Sequence, residues 1–131
     1  MIKSAGRRQK KKIPSAVTFR GHLPVILSEK DKGGIDMAAV KTVSLTKEYS
    51  NGEHYLRAVD DISFTVEENE FVAIMGSSGC GKTTLLNLLG GLENPTHGCV
   101  YINDVDITQL SMEERSSFRR WHIGFIFQNF N

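Results

Sequence analysis

Cysteine is scarce in this sequence, with two residues in 131. Cys80 and Cys99 lack the spacing of a secreted scaffold, which excludes a disulfide framework and fits a reducing compartment. Long apolar runs are missing as well. The longest, such as Leu23-Pro24-Val25-Ile26-Leu27, fall far short of the roughly 20 residues a spanning helix needs, so no segment here is expected to cross a membrane. Neither an internal repeat nor a low-complexity tract is present. Net charge is almost absent, at +1, yet the balance is uneven. Residues 1–36 hold nine Lys/Arg against three acids, and residues 37–131 hold seven against twelve. A length of 131 residues with 40% hydrophobic content is enough for one domain with a modest core.

What is present is Gly76-Ser77-Ser78-Gly79-Cys80-Gly81-Lys82-Thr83, a gapless G-x-x-x-x-G-K-[ST]. Phe71-Val72-Ala73-Ile74-Met75 ahead of it reads as a buried strand. Thr83-Thr84-Leu85-Leu86-Asn87-Leu88-Leu89 behind it reads as a helix with leucines three and four apart. Strand, glycine loop and helix are the context such a loop requires. Its glycines let the backbone turn tightly and bring N–H groups close to phosphate oxygens. The helix N-terminus adds unpaired donors and a favourable dipole. Lys82 is placed to reach the β- and γ-phosphates, and the Thr83 hydroxyl to ligate Mg²⁺. The plainer alternative, a glycine turn that binds nothing, is disfavoured by the flanks. Cys80 stands where a small side chain belongs and reads first as a substitute for serine; the sharper reading is a thiol activated by the helix N-terminus.

The basic first segment (Lys3, Arg7, Arg8, Lys10, Lys11, Lys12) continues to residue 36 without sustained periodicity. A secretory signal is excluded because Arg20 and His22 interrupt its only apolar candidate. A nucleic-acid arm lacks aromatic interleaving. Residues 1–36 therefore read as a solvated, disordered extension, and nucleic acid is not an expected partner. Met37 stands where the ordered pattern begins, as it would if the first 36 residues were an upstream extension of the reading frame. Thereafter Val40, Val43 and Leu45 suggest a strand closed by the turn-like Ser50-Asn51-Gly52, and Ile62, Phe64 and Val66 a half-exposed antiparallel strand. Val100 and Ile102 fit a further strand before a turn at Asn103-Asp104, and Asp104 and Asp106 read as structural. Ser111-Met112-Glu113-Glu114 is a capping box that starts a helix to about Arg120, and Ile123-Gly124-Phe125-Ile126-Phe127 reads as an apolar strand leading to Gln128.

With these placed, the sequence resembles an ABC transporter ATP-binding subunit, more narrowly the branch serving lipoprotein-release and macrolide-export systems. The phrases that carry the resemblance are Leu45-Thr46-Lys47-Glu48-Tyr49, Gly76 to Thr84, Asn94-Pro95-Thr96-His97-Gly98 and Ile123 to Asn131. The resemblance implies an α/β fold of the P-loop NTPase class, with residues 37–131 as the N-terminal portion of an ABC ATP-binding domain: an antiparallel β-subdomain joined to the start of a parallel α/β core, truncated just after Gln128. It implies Tyr49 stacking the adenine ring, residues 76–84 holding ATP, and Thr83 with Gln128 addressing Mg²⁺. Lys82 and Gln128 would be the groups nearest the chemistry. On patterning alone Tyr49 is a surface or turn aromatic and Gln128 a polar strand end. The implied partners are a membrane permease subunit and a second ATP-binding subunit, at the cytoplasmic face of the cell membrane.

The family's signature loop, the catalytic glutamate at a strand end and the switch histidine do not occur in these residues. The loop supplies charge stabilisation, but no carboxylate here would orient and deprotonate water. The expectation is therefore MgATP binding without unaided turnover, with uncovered apolar surface beside the loop strand. A fragment, a truncated frame and a non-catalytic nucleotide-binding remnant are each compatible with this. Another phosphate-loop enzyme is the remaining rival; a GTPase would want Asn-Lys-x-Asp, which is absent, and a kinase a lid with arginines.

Overall fold

The computed structural model describes residues 25–29 and 38–127. Its elements are β1 (Val25–Glu29), β2 (Ala38–Ser50), β3 (Tyr55–Glu67), β4 (Phe71–Met75), α1 (Lys82–Leu89), β5 (His97–Ile102), β6 (Val105–Asp106) and α2 (Met112–His122). Four strands form one sheet in the order β3-β2-β5-β6, and β1 pairs with β4 in a second. Every strand pair among the described residues is antiparallel.

The long β2–β3 hairpin forms because alternating residues point inward and the bulges that break its register offset each other. Between Thr42 and Leu45, β2 carries one residue more than β3; between Leu45 and Lys47 the excess moves to β3. The residues there, Ser44 and Asp61, have φ of 45° and 49°. A bulge removes N–H groups from the ladder, and hydroxyls take them up. Ser44 N–H donates to Ser63 Oγ at 2.7 Å, and Asp61 N–H to Thr46 Oγ1 at 3.0 Å. Thr42 does the same from inside the sheet. It is 2% exposed, donates to the Ile62 carbonyl at 3.1 Å and accepts from Phe64 N–H at 3.0 Å. Thr42→Val preserves the shape but orphans both backbone groups, so a loss of about 1–3 kcal/mol in unfolding free energy is expected by urea denaturation.

The core lies between this sheet and α1. Leu45, Val59, Ile62, Val100, Ile102 and Ile107 meet Leu85 and Leu88 of the helix. Eight residues make a helix too short to persist alone, so this packing holds α1 in place. At the far end of the sheet, Asn103 and Asp104 turn β5 into β6 with φ of 47° and 64°, the left-handed pair that a two-residue hairpin favours. Asp106 Oδ1 then accepts from Thr108 N–H at 3.0 Å, so both aspartates are parts of turns.

α2 begins at Ser111 with both halves of the capping box formed: Glu114 N–H to Ser111 Oγ at 3.3 Å and Ser111 N–H to Glu114 Oε2 at 2.9 Å. The helix extends two residues beyond Arg120, to His122. Two arginines attach it to the rest. Arg115 donates to the Ile107 and Leu110 carbonyls and to Asn94 Oδ1, and Arg119 donates to the Gly91 carbonyl.

Three expectations are corrected. β1 falls inside the segment read as an unordered extension, because its apolar run gives β4 an antiparallel partner from Val25↔Met75 to Glu29↔Phe71. β4 is not buried on both faces. Val72 and Ile74 pack against the core, while Phe71 and Met75 are 73% and 53% exposed; two-sided burial needs a layer on each side, and the described residues supply one. Ile123–Phe127 is no strand. Phe125 rests on Gly90 at the end of α1, and Ile126 is 92% exposed. Apolar side chains packing on a helix do not supply the strand partner that a ladder requires.

Candidate functional site

The loop between β4 and α1 is exposed from Gly76 to Gly79 and dips inward at Cys80, which is 7% exposed. It opens into α1 through Gly81 at φ 89°. That φ belongs to the left-handed region a Cβ disfavours. Space is restricted there as well, since a Cβ on Gly81 would collide with the Ala58 carbonyl oxygen of β3. Gly79, at φ 78°, has open space around its Cα. β3 thus forms the floor under one end of the loop.

The two helix N-termini differ in a way that bears on ligand binding. α2 is satisfied from within by Ser111, with Glu113 and Glu114 in its first turn. Bonds from the Ser111 hydroxyl and its backbone N–H hold the Glu114 carboxyl below its usual range, so the charge that offsets the helix dipole persists. α1 has no side-chain cap and no acid in its first turn. Its leading N–H donors, from residues 82 to 84, are of the kind that accept an outside anion.

Lys82 adds a cation at the same place. Its Nζ donates to the Gly76 carbonyl at 2.9 Å and the Ser77 carbonyl at 2.6 Å, and Cys80 Sγ lies 3.6 Å away. The side chain folds back across the loop and ties the ammonium to the carbonyls at its start. Cys80 is 7% exposed, and this burial favours its reading as a small packing residue. Thr83, next along the helix, is exposed. A hydroxyl beside a phosphate cradle suits a hard, oxygen-preferring cation such as Mg²⁺, so this donor fits the metal.

Tyr49 lies toward the end of β2. Its ring is 40% exposed, and its hydroxyl donates to Glu93 Oε1 at 2.8 Å and Oε2 at 3.0 Å. Partial burial raises its pKa; the neighbouring Thr84 hydroxyl opposes the shift and Glu93 reinforces it. Tyr49 is thereby placed beside the first turn of α1. Gln128 lies outside the described residues. Sequence reasoning missed Glu93 and Lys47, which form an ion pair of 3.1 Å beside Tyr49. Lys47 stands two residues before Tyr49, on the same face of a strand, but nothing local announces Glu93 across 44 positions.

Comparison with known proteins agrees with this geometry. The ABC transporter family pattern matches residues 59–131. The macrolide export ATP-binding/permease protein MacB of Rhodopirellula baltica is 47% identical over 92 residues, 70% of this chain and 14% of that protein. The lipoprotein-releasing system ATP-binding protein LolD of Colwellia psychrerythraea is 48% identical over 84 residues, 64% of this chain and 33% of its own length. The dimeric post-hydrolysis structure of the ATP-binding cassette MJ0796 bound to ADP and Pi superposes with a TM-score of 0.62 at 37% identity, covering 68% of this chain and 38% of that one. The chain therefore spans well under half the length of these relatives. A glycine loop feeding an uncapped helix, a β-subdomain beside it and a family pattern across more than half the sequence lead to one conclusion: this chain belongs to the ABC transporter family.

Proposed function

We propose that this chain binds MgATP through residues 76–84, as the nucleotide-holding part of a cassette that powers export or lipoprotein release by a membrane permease. The observation that carries the reading is the N-terminus of α1: uncapped, free of acid, entered through Gly81, with the Lys82 ammonium held on the loop ahead of it. The backbone N–H groups and Lys82 hold the phosphates, and Thr83, with Gln128, addresses Mg²⁺. The ion would bridge phosphate oxygens and neutralise their charge. Tyr49 supplies a face for adenine. Residues 37–131 form the N-terminal part of the nucleotide-binding domain, and residues 1–36 an appended basic segment.

Hydrolysis needs more than these groups. A carboxylate must orient water, and in the family a second ATP-binding subunit completes the site; these 131 residues hold neither a signature loop nor a catalytic glutamate strand. In such a reaction Lys82 and Gln128 would be the groups of this chain nearest the transferred phosphate. No helix among the described residues is long and apolar enough to cross a membrane, and the proposed location is the cytoplasmic face, against the permease.

Titration of the full chain with ATP, ADP and AMP, with and without Mg²⁺, tests the reading. Because the donors address the terminal phosphates, affinity should be Mg²⁺-dependent and fall by on the order of a hundredfold from ATP to AMP. AMP binding as tightly as ATP would overturn it.

A further inference from the structure

We propose that Glu93, in the connection after α1, is a positioning residue for the Tyr49 ring, holding the plane on which a purine base stacks. The inference rests on the reading of Tyr49 as the adenine platform and adds what keeps that platform still.

A tyrosine near the end of a strand can swing about two side-chain torsions, and a ligand that stacks on it must stop that motion. Here the motion is already limited. The hydroxyl is fixed by both carboxylate oxygens of Glu93, at 2.8 and 3.0 Å. Lys47 Nζ binds Glu93 Oε1 at 3.1 Å and the Asn94 carbonyl at 2.8 Å, and stands 5.2 Å from the Tyr49 ring centroid. One residue thus holds the tip of the ring and the cation near it. A cation there also draws electron density from the ring, which favours an electron-rich purine on the other face.

The mount is itself anchored. Thr96 N–H donates to the Thr46 carbonyl at 2.8 Å, and Glu48 N–H donates to Thr96 Oγ1 at 2.9 Å. Arg115 of α2 holds the Asn94 side chain. The connection bearing Glu93 is therefore tied to the same strand that bears Tyr49, so ring and carboxylate keep their separation. Thr84 beside the hydroxyl sets the platform against the turn that would receive the phosphates.

The test compares the full chain's affinities for MgATP and for magnesium tripolyphosphate, which has the phosphates and no base. Tyr49→Ala should weaken MgATP about tenfold and leave tripolyphosphate unchanged. Glu93→Ala should weaken MgATP about fourfold, again sparing tripolyphosphate, while Glu93→Gln, which keeps an acceptor oxygen, recovers most of the loss. With Tyr49→Phe already in place, Glu93→Ala should add little. Equal weakening of both ligands by Glu93→Ala would make its role structural and overturn the proposal. So would an unchanged MgATP affinity in Glu93→Ala while Tyr49→Ala loses it, or a full further loss in the Phe background. If Tyr49→Ala leaves MgATP unchanged, the platform reading itself falls; the tripolyphosphate affinity of each variant reports that the loop remains folded.

Discussion

Lys82→Ala is expected to lower MgATP affinity by on the order of a hundredfold, with little change in the stability of the fold. Both halves follow from where the side chain sits. Its Nζ bonds only to the Gly76 and Ser77 carbonyls among oxygen acceptors of the described residues, and both contacts are exposed. Water can replace the ammonium at those carbonyls, so folding loses little. A triphosphate has no such substitute, because the ammonium is the only lysine or arginine head in the loop, and a charged hydrogen bond to phosphate is worth roughly twice a neutral one. Equilibrium titration beside a thermal melt separates the two effects. Unchanged affinity in a folded variant would remove the phosphates from this loop. Lys82→Arg is not a safe substitute, since the guanidinium fork differs in reach and shape from a point charge.

Gly81→Ala should be strongly damaging for a single methyl group, with Gly79→Ala as its control. Both glycines have positive φ, at 89° and 78°, so both substitutions carry a left-handed strain of about 1–2 kcal/mol. Only at Gly81 does the added Cβ meet the Ala58 carbonyl oxygen, a backbone atom of β3 that cannot rotate away. Relief requires α1 to shift from the sheet, which would pull Leu85 and Leu88 from the core they share with Val59 and Ile62. Gly81→Ala is therefore expected to cost about 3 kcal/mol or more and to abolish nucleotide binding. Gly79→Ala should cost about 1 kcal/mol and spare the core. Urea unfolding of the two variants side by side decides it; equal losses would mean that the approach of β3 to the loop is looser than the geometry implies.

These two results bear on how the site is assembled. The phosphate loop contributes its own backbone and Lys82, but its position is set by β3 beneath Gly81 and by the leucines that hold α1. The base side is set separately, by the end of β2 and the connection after α1. The cassette thus joins two supports at the first turn of α1, where Lys82, Thr83 and Thr84 stand in succession. On the proposed reading, a change on either support would move one half of the nucleotide relative to the other, so Glu93 would affect binding without serving as a ligand itself.

Local chemistry determined much of this in advance. The glycine loop, the leucine spacing of α1, the turn at Asn103-Asp104 and the capping box at Ser111 each depend on residues a few positions apart, and all were legible in the sequence. The reading of Tyr49 as a platform for adenine came only through resemblance to a family. The tertiary structure decided the rest, because it depends on residues far apart in the chain. The offsetting bulges at Ser44 and Asp61 arise from the pairing of two strands. The one-sided burial of β4 depends on which layers cover it, and its partner β1 comes from a segment whose charge suggested no structure. Ile123–Phe127 forms no strand because Phe125 packs on the end of α1 instead of the segment pairing with a strand, which an apolar pattern cannot reveal. Glu93 gains its place beside Tyr49 only when the connection after α1 folds back onto β2, a contact between residues 44 positions apart that no local pattern encodes.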